Sequence, residues 1–257
     1  PRGSVKSLRV FQQQAKTYST WAKIFVFSGP AVSGVHTEAI KRIVTTVPVE
    51  ADGSVYFEAP AGVALFFQLL DQRGRAVHMM RSFTGLLPGE RRGCVGCHEL
   101  RPSDAPPNRP ALALRRPPTA ITPPPWGDQT IGYERFAQGV LDRHCGKCHQ
   151  GEGEGRKKLD LTLRPAEGRF RGHFKEPYVT LIGPAAWPVP APGRNRPGYG
   201  LAGAIPVYAM ESHDVEPNLL AGHLPSRVLQ TLRPMRYLSY RSRLIERATS
   251  GKHHNVK

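Results

Sequence analysis

Short stretches in which apolar and polar residues alternate dominate the first third of the chain, from about residue 5 to residue 83. They are rich in β-branched and aromatic side chains, which favours strands over helices. The strand-like runs are residues 24–27, 43–47, 55–57, 63–70 and 76–80. Turn signals lie between them at Asp52-Gly53 and at residues 71–74. Strands of this length and spacing predict a small β-sandwich.

The pattern changes between residues 101 and 128, which contain nine prolines. Proline fixes the backbone φ angle and removes an N–H donor, so it is excluded from helix interiors and from central strands. A segment of this composition is extended and semi-rigid. We therefore predict a linker over residues 101–128.

Apolar residues at helical spacing appear after the linker. Phe136, Val140 and His144 fall at positions i, i+4 and i+8, which predicts an amphipathic helix over residues 131–145. Two further helices are predicted at residues 225–232 and 240–248, and Ser250-Gly251 has the composition of a C-cap for the second. No closing helix follows, so we expect this domain to be truncated at its C-terminus.

The candidate chemistry lies in a Cys-x-x-Cys-His motif that occurs twice, at residues 94–98 and 145–149. This motif is the attachment signal for c-type haem. The two thiols form thioethers with one porphyrin, and the adjacent histidine binds its iron. The motifs use all four cysteines of the chain. The residues predicted to hold the two covalent haems are Cys94, Cys97, His98, Cys145, Cys148 and His149.

Zinc is the alternative cofactor for two Cys-x-x-Cys pairs. A zinc ribbon usually separates its pairs by about 15–20 residues, and Cys97 and Cys145 are much further apart. Zinc is therefore possible but not supported. With haem assigned, the fold prediction is a multidomain α+β protein. It comprises a β-rich, sandwich-like domain over residues 1–100, the linker, and a mainly α-helical, cytochrome c-like domain over residues 129–257.

Charge and compartment refine this interpretation. The chain has 36 Lys and Arg against 20 Asp and Glu, a formal charge of +16, and the basic residues are scattered. This distribution indicates an acidic redox partner or subunit rather than nucleic acid. No run of about 18 apolar residues predicts a transmembrane segment. Covalent haem attachment predicts export to the periplasm or an equivalent compartment, and the absence of an initiator Met leads us to expect a fragment.

The sixth ligands of the haem irons are less tightly specified by the sequence. For the second haem we favour His253, which follows a predicted helix and a flexible Ser-Gly pair. His254 and Met235 are the alternatives. For the first haem, the predicted strand at residues 76–80 offers His78 and Met80 on one face and Met79 on the other. None of these three is assigned.

Several segments resemble the hydrazine synthase alpha-subunit-like proteins of planctomycetes and related bacteria. The resemblance is carried by residues 48–62, 67–71 and 88–99. Residues 238–242 and 250–254 are similar to the C-terminal cytochrome domain of the same family. The resemblance implies a β-rich middle domain with one haem, then a cytochrome c domain with another, without the N-terminal β-propeller of the family.

The resemblance also implies a special first haem. In the family's best-known member the motif histidine binds zinc, and a tyrosine four residues later binds the iron. The corresponding position here is Pro102, with no tyrosine nearby, which argues against hydrazine chemistry. We therefore predict an electron-transferring di-haem module of a larger exported redox protein. The alternative is a haem oxidoreductase that binds a small nitrogen species at a five-coordinate first haem; whether it is an enzyme stays open.

Overall fold

The structure is a computed structural model that describes residues 3–15, 40–80, 83–95, 110–166, 174–182, 234–235, 238–240 and 242–253. These residues form two compact units. Unit 1 contains the described residues up to Ile131, together with Pro234. Unit 2 contains the other described residues, from Gly132 onward. The division falls close to the end of the predicted linker.

Unit 1 is built on an antiparallel sheet. Its four strands are β1 (Ser7–Gln14), β2 (Ile40–Pro48), β3 (Ala64–Leu70) and β4 (Ala76–Met79), in the spatial order β2-β1-β3-β4. The turn between β3 and β4 is the predicted one. Gly74 has a φ of +71° there, and its N–H donates to the Asp71 carbonyl at 3.0 Å. Glycine adopts this left-handed conformation without strain, which explains the turn signal.

Three of the predicted strand runs are confirmed, since residues 43–47, 63–70 and 76–80 fall in β2, β3 and β4. The strand predicted at residues 55–57 is wrong, because among the described residues it forms a single bridge, from Phe57 to Thr119, and no ladder. The run at residues 24–27 lies outside the described residues. Strand β1 was not predicted as a separate run. A register shift between Val10 and Phe11 interrupts its alternation, which weakens the pattern.

Apolar clusters lie on both faces of the sheet. The first comprises Leu8, Val10, Val44, Val47 and Leu65, and the second comprises Phe11, Ile43 and Phe66. Val55 and Phe57 pack against the first cluster from the loop that follows β2. The described strands therefore form one sheet covered by a loop, instead of the two packed sheets of the predicted sandwich. The β-rich character of the domain is confirmed.

Part of the predicted linker is integrated into unit 1. The Leu112 N–H donates to the Asp52 carboxylate at 2.8 Å, and Arg116 forms an ion pair with Glu50 at 2.9 Å. The described residues 110–131 therefore lie against the sheet and its loops, and do not form a free spacer. The prolines exclude this segment from helix interiors and central strands. The backbone and side-chain groups of its other residues still form hydrogen bonds and ion pairs.

The end of this segment runs beside β2. The Ile131 N–H donates to the Lys41 carbonyl at 2.7 Å. Arg42 and Thr130 form an antiparallel bridge, and the Arg42 guanidinium pairs with the Asp128 carboxylate. These contacts attach the segment along the outer side of a strand that would otherwise be an edge of the sheet.

Unit 2 is mainly helical in its described part. A π-helix (Glu134–Gln138) leads into α1 (Gly139–His149), followed by α2 (Glu154–Lys158), α3 (Glu176–Ile182) and α4 (Arg243–Thr249). The helix predicted at residues 131–145 is confirmed, and it continues through the second motif to His149. Within the described ranges, no helix combines the length and apolarity needed to cross a membrane.

The buried face of the first helix differs from the predicted face. Leu141 is buried, whereas Val140 is 57% exposed and His144 is also exposed. The π-helix adds a residue to one turn, which rotates the following helix by about 100° relative to a continuous α-helix. A constant helical period cannot anticipate this rotation, so the predicted stripe of Phe136, Val140 and His144 is wrong.

The core of unit 2 joins the first and last helices. It comprises Leu141, Leu161 and Leu181, with Leu244 of α4 packed against them. Helix α4 begins at Ser242, whose hydroxyl accepts from the Ile245 N–H, and the C-cap signal is confirmed by Gly251 at a φ of +67°. The helix predicted at residues 240–248 is confirmed as α4, and the expectation of a C-terminal truncation stays a prediction. The helix predicted at residues 225–232 lies outside the described residues.

Candidate haem site

The second motif occupies the C-terminal turns of α1. Cys145 is half-buried, and Cys148 is exposed one turn later. Residues three apart on a helix are neighbours on its surface, so both thiols can reach one flat group. Burial, followed by the influence of Cys148, raises the pKa of the Cys145 thiol. This thiol is therefore neutral near pH 7 and does not behave as an activated, thiolate-type nucleophile.

His149, the last residue of the motif, has a fixed imidazole. Its Nδ1 lies 2.9 Å from the Leu159 carbonyl oxygen. A carbonyl only accepts hydrogen bonds, so Nδ1 must be the protonated nitrogen. The lone pair is then on Nε2, which is the arrangement that a metal-binding histidine needs.

The structure brings His253 to the same place. The His149 and His253 ring centroids are 6.1 Å apart, with 24° between the ring planes. The ring planes are close to parallel, and the two imidazoles are near enough to each other to be candidate ligands of one haem.

The donor set distinguishes haem from zinc. Haem iron takes one or two ligands from side chains because the porphyrin supplies four nitrogens, whereas structural zinc takes four protein ligands. In the part of the chain that the structure describes, no group of three or more His, Cys, Asp or Glu side chains could hold a metal ion. His149 and His253, with the thiols of Cys145 and Cys148, are the described residues that would hold a haem, and this assignment stays a prediction.

Of the alternative ligands to His253, His254 lies outside the described residues. Met235 is half-buried and has a φ of +63°, the one left-handed non-glycine residue among those described. The assignment of His253 as an iron ligand stays a prediction, which the juxtaposition with His149 supports.

The loop after the motif folds back on α1. The Leu161 N–H donates to the His149 carbonyl at 2.9 Å. The Leu161 carbonyl accepts from the side-chain amides of Gln138 and Gln150, at 3.0 and 3.1 Å. These bonds satisfy polar groups beside the Leu141–Leu161–Leu181 core and fix the direction in which the chain leaves the motif.

Asp160 stabilises the same loop through hydrogen bonds and charge. Desolvation by itself raises the pKa of this carboxylate, but the Thr162 hydrogen bonds, the charge of Arg164 and a hydrogen bond from Arg156 together lower it to about 2. Its oxygens accept from the Thr162 N–H at 2.9 Å and from Arg164 at 2.7 Å. Asp160 is therefore ionised throughout the physiological range and has a structural role.

The first motif is described only at its start. Cys94 is exposed and follows a turn in which the Leu87 N–H donates to the Glu90 carboxylate at 2.7 Å. That hydrogen bond, and then the Arg92 side chain, lower the pKa of Glu90. Cys97, His98 and the position of Pro102 lie outside the described residues. The first haem site therefore stays a prediction.

The strand next to the first motif does not have the predicted alternation. His78 is buried and pairs with Leu69, while both Met79 and Met80 pack against the cluster of Phe11, Ile43 and Phe66. Strand β4 ends at Met79, so the next residue no longer follows the strand period. The expectation that His78 and Met80 share a face is wrong.

Gly155 and the Leu159 carbonyl are parts of the site that were not predicted from the sequence. A backbone carbonyl has no sequence signature, so nothing marked Leu159 as a partner of His149. The three glycines at positions 151, 153 and 155 were a usable signal, because glycine clusters mark close backbone approaches.

Comparisons with known proteins agree with this architecture. Residues 3–99 match the family described as the hydrazine synthase alpha subunit middle domain. A solved structure of Kuenenia stuttgartiensis hydrazine synthase has a similar fold, with a TM-score of 0.50 and 18% sequence identity. The match covers 75% of this chain and 30% of that chain. A comparison with curated protein sequences gave no match.

By its fold, unit 1 is a β-rich domain that continues into a motif-bearing segment. Residues 3–99 of this unit match the middle domain of the hydrazine synthase alpha subunit family, and the solved hydrazine synthase shares the fold. The resemblance noted in the sequence is thereby confirmed for this domain. The chain spans about 30% of the length of the hydrazine synthase chain with which it shares its fold.

Proposed function

We propose that the chain is a di-haem c-type cytochrome module that transfers electrons within a larger exported redox protein. The observation that carries this proposal is the pairing of His149 and His253, whose ring centroids lie 6.1 Å apart at the end of a helix that ends in Cys-x-x-Cys-His. A six-coordinate haem has no open position for a substrate, so it serves electron transfer.

In this proposal unit 2 is cytochrome c-like. Cys145 and Cys148 would form the thioethers, and His149 and His253 would bind the iron. When bound, the haem would supply one-electron redox chemistry. The protein holds the ligand orientation through the Leu159 carbonyl. A second haem is proposed at Cys94, Cys97 and His98 on the same motif chemistry.

The proposed partner is an acidic redox protein, or an acidic subunit of a larger complex. The exposed residues around the second motif support this choice. They include the basic residues Arg143, Lys147, Lys157, Lys158 and Lys252. A positive surface near a redox centre raises the rate of encounter with an acidic partner. Haem attachment outside the cytoplasm supports the periplasm, or an equivalent compartment, as the location.

Electron paramagnetic resonance of the oxidised, haem-loaded chain tests the proposal. Two low-spin signals that nitric oxide does not change would support two capped irons and an electron relay. A high-spin signal that collapses with nitric oxide would instead support a five-coordinate first haem that binds a small nitrogen species. An absorption spectrum without a haem band, after expression with the attachment machinery, would refute both.

The His253→Ala variant tests the ligand assignment separately. It should convert the second haem from low-spin to high-spin and leave the first unchanged. His144→Ala is the matched control, since His144 is an exposed histidine on α1, the helix that carries the second motif. An unchanged spectrum for His253→Ala would move the assignment to His254 or Met235.

A further inference from the structure

We propose that Gly155 is a positioning residue for the haem ligand His149. The inference rests on the proposed haem function and concerns how the protein sets the orientation and electronic character of this ligand. It starts from an unusually close backbone contact. A Cβ atom at position 155 would lie 2.4 Å from the Cys148 carbonyl oxygen and 3.1 Å from its carbonyl carbon.

Only glycine fits this position in the observed geometry. Real Cβ atoms essentially never approach another heavy atom closer than 3.0 Å. The obstructing atoms belong to the backbone of α1, which cannot rotate away as a side chain can. The φ angle of Gly155 is not in the left-handed region, so the constraint is steric contact with Cys148 and not backbone conformation.

The contact positions the acceptor of the ligand hydrogen bond. The Gly155 carbonyl accepts from the Leu159 N–H at 2.9 Å, which closes the short helix α2. The Leu159 carbonyl then accepts from His149 Nδ1, also at 2.9 Å. The sequence of contacts therefore runs from the motif residue Cys148 through Gly155 and Leu159 to the motif residue His149.

A methyl group at position 155 would disturb this arrangement by a predictable amount. Relieving the clash requires α2 to move away from α1 by at least about 0.6 Å. To the extent that Leu159 moves with α2 along the bond, the His149–Leu159 hydrogen bond lengthens from 2.9 Å towards about 3.5 Å, where it is largely lost. A histidine without this bond is a weaker electron donor to iron, so the ferric state is less stabilised and the reduction potential rises.

The test compares Gly155→Ala with Gly153→Ala in the haem-loaded chain. Gly153 is the matched control because it lies two residues away, has extended backbone, and a Cβ there would meet nothing within 4 Å. We expect Gly155→Ala to raise the midpoint potential of the second haem. A tenfold change in the reduction equilibrium corresponds to 59 mV for one electron. Gly153→Ala should leave the potential unchanged.

Nuclear magnetic resonance of the His149 Nδ1 proton gives a second readout. In the parent chain this proton should exchange slowly with solvent and show a contact with Leu159, and in Gly155→Ala it should exchange faster. An unchanged potential and exchange rate in a haem-loaded Gly155→Ala variant would overturn the inference. If Gly155→Ala does not attach haem, the exchange rate of the His149 Nδ1 proton in the parent chain is the test. Fast exchange of that proton in the parent chain would overturn the inference. Absence of haem from the parent chain would instead refute the proposed function.

Discussion

A substitution in the core of unit 2 should lower the stability of the unit without changing the geometry at His149. Leu161 is 1% exposed and packs with Leu141 and Leu181. Its hydrogen bond to the motif, however, is made by its backbone N–H, which donates to the His149 carbonyl. A Leu161→Ala substitution therefore removes packing but keeps the hydrogen bonds that fix the loop next to His149.

The expected cost follows from this burial. Fully buried Leu→Ala substitutions lower the free energy of unfolding by about 3–5 kcal/mol when the cavity does not collapse. With a urea m-value of about 2 kcal/mol/M for a unit of this size, the transition midpoint should fall by about 1.5–2.5 M. The low-spin haem spectrum should persist below the transition.

The assay is urea unfolding of the haem-loaded chain, followed by the Soret band and by helical circular dichroism. Leu163→Ala is the matched control, because Leu163 is 43% exposed and only two residues away. Its midpoint should shift by less than about 0.5 M. Equal shifts for the two variants, or a change to a high-spin spectrum in Leu161→Ala, would refute the assignment of Leu161 to packing alone.

Three other predictions concern the same unit. Replacing Cys145 and Cys148 by Ala should halve the haem content measured by the pyridine haemochrome assay. It should also lower the helical circular dichroism signal. An unchanged helical signal would contradict a fold of unit 2 built around haem. Because the pKa of Asp160 is lowered to about 2, its stabilisation of about 1 kcal/mol is complete above pH 4 and lost as the pH falls towards 2. The acid unfolding curve of Asp160→Asn should lack this pH-dependent stabilisation. Identical curves for Asp160→Asn and the parent chain would contradict the stabilising role of Asp160. Lys147→Glu should slow oxidation by hexacyanoferrate roughly threefold at low salt, and Lys175→Glu much less; equal effects would argue against steering at the motif.

The strands and turns of unit 1 could be predicted because their signals are local. The Asp71–Gly74 turn follows from the conformational freedom of glycine, and β3 follows from one apolar run. Which segments pack over the sheet could not be predicted from such local signals. Whether residues 55–57 form a strand or a loop depends on which backbone partners the rest of the chain offers, and this is a property of the tertiary structure.

The residues of the site that could be predicted are those of the motif for covalent haem attachment. The cysteine motif requires a fixed spacing, so Cys145, Cys148 and His149 were visible in the sequence. The buried face of α1 was not, because a π-helix changes the phase without an unusual residue to mark it. The closeness of His253 to His149 also depends on packing that no local pattern encodes.

The segment beside β2 has a consequence for the solution behaviour of the protein. β2 is the first strand in the order of the sheet, and an unpaired edge strand is a template for association with other chains. Residues 128–131 occupy part of that edge through the bonds to Lys41 and Arg42. A chain cut before residue 110 would lose this cover, so we expect it to self-associate through β2. If it does, the proline-rich segment has a second role, which is to protect the sheet against aggregation.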